Sequence, residues 1–452
     1  MNMRLPVTLA VAALATAAVP AVAVAGWSAP FVVAEPGDSE VALSPSGRML
    51  LNGDSRAVSA QVRSGDGFGA PQHVLTIPET ERLWGLQADA SDRILLMTIR
   101  RHRPYQRVRI VLRDTDGTLS PARTISGKGH SASQPRLSVA PDGTAVAAWA
   151  WHDSSGWRVQ AAVRKPGEAF GPAQTLSEPT PQARPWVTVA AGEGGRAAIT
   201  WYVDGDDHTL RTDLVAATAG RDGTFGTPTR LDGDWGFYRV SLAVAPDGRA
   251  LAAWIPTAWS LNQRVPLRVS DAAAGEAFGK ARTLASGRGY VDGGDPVTAL
   301  APDGGAVVAW VKPNVTRSYN RGVVEILARP PGGRFGAGQT VSDSRRTPTG
   351  LTLSAGRDGT VALGWGDARF DLDDDTPDDD TPDDHRLRWE TRVSVRAPGA
   401  RAFATADRVS DPAHDSRWPI VTVTPDGGVL AAWAFIDDAS GGGRGATAVR
   451  AP

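Results

Sequence analysis

The chain contains no cysteine, which excludes a disulfide framework, a thiol nucleophile and Cys-ligated zinc. Lysine is scarce, with Lys128, Lys165, Lys280 and Lys312 the whole complement, so arginine carries nearly all the positive charge. The 48 basic and 49 acidic residues leave a formal net charge of −1. Such a balance provides no field to draw a polyanion or an anionic membrane, and nucleic acid is not an expected partner. The seven histidines include no pair at i,i+3 or i,i+4, and there is no His-Glu-x-x-His, no Gly-x-Ser-x-Gly elbow and no phosphate-binding glycine loop. No catalytic residue is assigned. Past residue 25 there is no long hydrophobic run, so no membrane span is expected there.

What is present begins with Arg4 ahead of an apolar, alanine-rich run that ends in Ala23-Val24-Ala25. A positive charge, an apolar stretch and a small-x-small site describe a signal peptide over 1–25, with Pro6 and Pro20 bracketing the run and arguing against an anchor. Residues 26–452 are then expected to form one secreted, monomeric domain stabilised by core burial alone.

One pattern fills that domain. A short apolar strand, an Asp-Gly turn and a second apolar strand with a tryptophan recur as LSVAPDGTAVAAW (137–149), LAVAPDGRALAAW (242–254), TALAPDGGAVVAW (298–310) and VTVTPDGGVLAAW (421–433). Weaker copies close at Trp201 and Trp365. In all six the tryptophan stands six residues past the turn glycine: Gly143, Gly195, Gly248, Gly304, Gly359 and Gly427. Asp-Gly between β-rich runs is a hairpin signal, because glycine accepts positive φ and aspartate bonds its own turn backbone. The flanking runs are apolar throughout, as strands buried on both faces are. A further strand follows each tryptophan, then an aromatic-glycine step such as Phe170-Gly171 or Phe278-Gly279, then a last short strand.

Four antiparallel strands per repeat make a propeller blade. Two units without the tryptophan, centred on Gly47 and Asp92, raise the count to eight. The fold class expected is therefore all-β, a single β-propeller of eight four-stranded blades, with seven as the alternative. The last unit stops before an outer strand, and Trp27–Val33 reads as an outer strand without a hairpin before it. The N-terminal strand is expected to complete the last blade and close the ring.

The Pro-Asp-Gly hairpin resembles the WD-like repeats of TolB-type periplasmic propellers over essentially all of 26–452. The resemblance is one of repeat style and implies the fold, not an activity. Sialidase Asp-boxes and the blade-docking tryptophans of quinoprotein dehydrogenases are similar in style, but these turns lack the Asp-x-Gly intervening residue and the chain lacks the cysteine pair common in those dehydrogenases.

The repeated tryptophans read as blade packing. The stretch 371–385, with its doubled Thr-Pro-Asp-Asp, reads as a solvated acidic insertion in the seventh unit, with weak calcium binding as the alternative and no other cofactor expected. The residues left for function lie ahead of the hairpins, on segments that open at the mouth of a propeller channel: Trp84, Arg184, Trp186, Tyr238, Tyr290, Asp295, Arg417 and Trp418. Aromatic faces beside arginine and aspartate suit an extracellular glycan or peptide, or a protein of the cell envelope. Two readings follow: a binding or scaffold propeller, or a glycosidase or polysaccharide lyase with an acid and base on the same rim. Convergence of two carboxylates, or of a tyrosine with a histidine or arginine, in one pocket is what separates them.

Overall fold

A computed structural model describes residues 26–33, 40–54, 56–102, 105–180, 183–203, 211–235, 238–257, 263–289, 294–313, 322–344, 346–370, 387–437 and 442–452. The expected signal peptide, the acidic insertion 371–385 and Tyr290 lie outside the described residues. Among those described there is no helix, and the strands form eight antiparallel sheets. Blade 3 is representative: Ser131–Val139, Ala145–Asp153, Gly156–Arg164 and Gln174–Thr175 follow one another from the channel outward. Blade 1 departs from the pattern, because both Gly67–Phe68 and Gln72–Thr76 pair with its third strand Ala57–Ser64.

The innermost strand of each blade neighbours that of the next, and Asp415–Val423 of blade 8 returns to Glu40–Leu43 of blade 1. Closure is made by the chain's own start. Phe31–Val33 pairs antiparallel with Gly442–Arg450, with Phe31 opposite Thr447 and Val33 opposite Gly445. Trp27, 5% exposed, donates its indole N–H to Asp407 at 3.1 Å, and the Ser28 amide donates to the Val449 carbonyl at 2.7 Å.

All eight hairpin centres have positive φ, from 64° at Asp92 to 95° at Gly359. The turn aspartates act within their turns: Asp142 and Asp303 accept the backbone N–H two residues on, each at 2.8 Å. Glycine is required twice over at Gly248, where φ is +94° and a Cβ would stand 2.2 Å from Arg196 of the preceding blade.

The six tryptophans lie on the second strand of their blades and are 0 to 4% exposed. They sit inside those strands rather than at their ends, since pairing runs on past Trp149 to Asp153. Each faces the blade before it, as Trp149 does against Leu95 and Met97. A buried indole N–H needs an acceptor. Trp149 donates to Gln160 at 3.2 Å, Trp254 to Asp232 at 2.6 Å and Trp310 to Glu325 at 2.9 Å. Trp365 is the exception: Arg392 stands opposite it, and its Nε1 has no partner.

Side chains also stitch the channel wall. Gln87, Ser138 and Ser354 each accept a backbone N–H from the next blade's innermost strand, at Val139, Ala191 and Val423.

Candidate functional site

The repeat separates structure from specificity. The tryptophan recurs, whereas the position the same distance before each turn glycine varies: Gln134, Trp186, Arg239, Asp295, Gly350 and Trp418. These positions lie near the start of the innermost strands, on the face opposite the Asp-Gly turns. The strands begin earlier than the sequence suggests, so Trp84, Arg417 and Trp418 belong to strands and not to loops. Bulges make the extra length: pairing skips a step between Leu83 and Gly85, Ser133 and Arg136, Thr349 and Thr352, and Arg417 and Ile420. Gln134 (φ +47°), Gly350 (φ +61°) and Trp418 (φ +52°) are left-handed at matching places in three of them. For residues other than glycine such a conformation costs on the order of 1–3 kcal/mol and is often kept at binding sites.

A cavity of about 410 Å³ opens between the innermost strands of blades 2 and 3, lined by Arg82, Leu83, Trp84, Gly85, Leu86, Gln87, Arg136 and Leu137. Arg82 lies 5.6 Å over the Trp84 ring. Gly85 lets the two strands approach, since a Cβ there would stand 3.0 Å from that of Leu137. Gln87 fixes the wall by donating to the Leu137 carbonyl at 3.2 Å and accepting from the Val139 amide at 2.8 Å.

The same face continues onto blade 4. The Arg184 guanidinium lies 6.0 Å from each of Trp157 and Trp186 and donates to Ser133 Oγ at 3.3 Å. Trp157 packs on His152 at 4.7 Å. Farther out between blades 2 and 3, Tyr105, His130 and Trp151 pack in sequence, tilted at 6.3 Å and edge-to-face at 4.7 Å.

Three of the residues picked from sequence, Trp84, Arg184 and Trp186, therefore fall in one sector over blades 2–4. Others are placed apart. Asp295 pairs with Arg239 at 3.2 Å across blades 5 and 6. Arg417 stacks on Trp389 at 5.2 Å, and Trp418 is 72% exposed on blade 8. Tyr238 is only 3% exposed, and its hydroxyl donates to the Thr212 carbonyl at 2.9 Å. Arg82, Arg136, Tyr105, His130, Trp151, His152 and Trp157 were not picked. For two of them a signal existed: Trp151 repeats on the face of Trp149 two residues later, and Trp157 opens the next strand.

Carboxylates converge elsewhere, within blade 7. Asp367 and Glu390 stand opposite each other among Arg346, Arg392 and Arg408. Asp367 is wholly buried, and the 3.0 Å approach of Arg392 Nε is not aligned as a hydrogen bond, so neither carboxylate oxygen has one. Burial pushes its carboxyl up to about 7, against the pull of Arg392 and Arg346. Because the folded value lies above the unfolded one near 3.8, stability present below that pH is lost as pH rises to about 7. Asp367→Asn is therefore expected to flatten the profile: wild type should lose more stability than the variant between pH 5 and pH 8 in urea melts. Parallel profiles would contradict a neutral carboxyl at acidic pH.

No family model matches the chain, and no curated protein matches its sequence. Among solved structures it is similar to the WD40 domain of SCAP from fission yeast, at 8% identity over 94% of this chain and 95% of that one, with a TM-score of 0.45. It is similar to the polysaccharide lyase Uly1 at 9% identity over 81% and 89%, TM-score 0.41. The Penicillium chrysogenum α-L-arabinanase aligns at 12% identity over 62% and 87%, TM-score 0.34. These likenesses are of fold alone.

Proposed function

We propose that this chain is a secreted binding propeller that takes a carbohydrate chain across the face of blades 2–4, with Trp84 and Trp186 as platforms. The observation that carries this reading is the cavity of about 410 Å³ holding Trp84, continued by Arg184 between two indoles on the adjoining blades. Indole rings offer flat apolar faces to sugar rings, and guanidinium and amide groups fix direction by hydrogen bonding. None of the residues lining the cavity is acidic, and none is a tyrosine or histidine, which favours binding over acid-base chemistry there. Asp367 and Glu390 do converge, but with Asp367 fully enclosed a glycosidic oxygen has no approach to it.

A glycan array followed by calorimetry tests the reading. Trp84→Ala and Trp186→Ala, both at half-buried positions, are each expected to weaken binding at least tenfold while leaving the Tm within a few degrees. Unchanged affinity in both variants would remove the site from this face. Release of reducing ends or of unsaturated sugars by the wild-type protein would replace binding by catalysis.

A further inference from the structure

Building on the carbohydrate reading, we infer that the ligand is an anionic glycan, one whose sugar rings carry carboxylates. Several arginines of the propeller are held by acids: Arg109 by Glu81, Arg268 by Asp232, Arg329 by Asp271, Arg392 by Glu390. Arg82 and Arg184 differ. Among the described residues neither has an ion pair; Arg82 lies over Trp84, and Arg184 lies against Trp157 and Trp186 with a serine hydroxyl as its hydrogen-bond partner. A guanidinium beside a ring and without a carboxylate on it keeps N–H donors along its edge. That edge matches a carboxylate bidentately, a geometry lysine cannot reproduce.

Arg136 lines the same cavity from the strand between them, so guanidinium groups stand on three consecutive blades beside Trp84 and Trp186. A uronate meets both kinds of group at once. Its ring face lies on an indole while its carboxylate, near the ring plane, meets a guanidinium edge. An acidic peptide supplies only the second contact. The whole-chain charge of −1 does not oppose this, because at hydrogen-bond range the local guanidinium groups decide.

The experiment is calorimetry on the full exported protein with galacturonate, mannuronate and glucuronate oligosaccharides, each beside its carboxyl-reduced counterpart, and with poly-glutamate of similar length. At least one uronate is expected to bind ten or more times tighter than its reduced form, with the preference falling as salt is raised. Arg184→Ala and Arg184→Lys should each cut that preference at least fivefold at unchanged Tm, whereas Arg230→Ala, whose side chain pairs with Asp213 at the outer edge of blade 4, should not. Equal binding of acid and reduced forms, or binding of neutral sugars alone, overturns the anionic proposal and keeps the carbohydrate reading. Poly-glutamate binding as tightly as any uronate overturns it in favour of a peptide. Failure of every sugar overturns both.

Discussion

Deletion of residues 26–34 is expected to yield a chain that aggregates or unfolds early, with a Tm lower by on the order of 10 °C or more. The segment is the outer strand of blade 8, paired to Gly442–Arg450 through Phe31, Val32 and Val33. It also brings Trp27, whose indole is buried in the cluster of Val393, Val429 and Trp433 and bonded to Asp407 of blade 7. Its loss empties a tryptophan site between two blades and exposes the edge of a nine-residue strand. An unpaired edge invites pairing with another chain, so the damage spreads to solubility. The same geometry predicts that a circular permutant joining Pro452 to Gly26 by a short linker, opened in the turn between Asp153 and Gly156, folds. A truncated protein that keeps its full Tm would mean that the ring is held shut by inter-blade packing without the strand.

Trp254→Ala should cost on the order of 3–5 kcal/mol in urea denaturation. Trp254 is 0% exposed and packs against Leu214, Ala216 and Ala252, and its N–H donates to Asp232, which Arg268 also holds. Phenylalanine separates the two contributions. Trp254→Phe leaves an Asp232 oxygen short of a donor and should cost about 1–3 kcal/mol beyond the smaller ring. Trp365→Phe removes an N–H that has no acceptor, so the loss there should be clearly smaller. Equal costs would show that the acceptor at Asp232 adds nothing. Loss of ligand binding by Trp254→Ala at unchanged stability would move that tryptophan out of the packing between blades.

The unit of this fold was legible because it is local. Turn glycine, turn aspartate and tryptophan lie within a few residues of one another, and their fixed offset follows from the number of residues needed to carry a strand from the turn to the middle of a blade. Gly47 and Asp92 were recognisable as hairpin centres without the tryptophan because positive φ is demanded at the turn itself, a demand Asp92 meets at +64°. The pairing of Phe31–Val33 with Gly442–Arg450 was likewise readable from an incomplete last unit, since a sheet edge must be paired or covered.

The site could not be read in the same way. Arg184 meets Trp157 and Ser133 across a blade boundary, and the cavity joins Trp84 to Arg136, more than fifty residues on. Nothing in their spacing announces these meetings, because the positions facing the channel mouth are those that vary from repeat to repeat. The bulges that carry Trp84 and Trp418 into strands arise from pairing with the neighbouring strand, and Tyr238 turned inward because Thr212 of blade 4 offers its hydroxyl a buried acceptor. The sequence by itself determined the repeat, the turn chemistry and the way the ring closes, which are short-range demands of the backbone. Only the tertiary structure decided which arginines rest on indoles and which are bound by carboxylates, because that depends on what the next blade brings alongside.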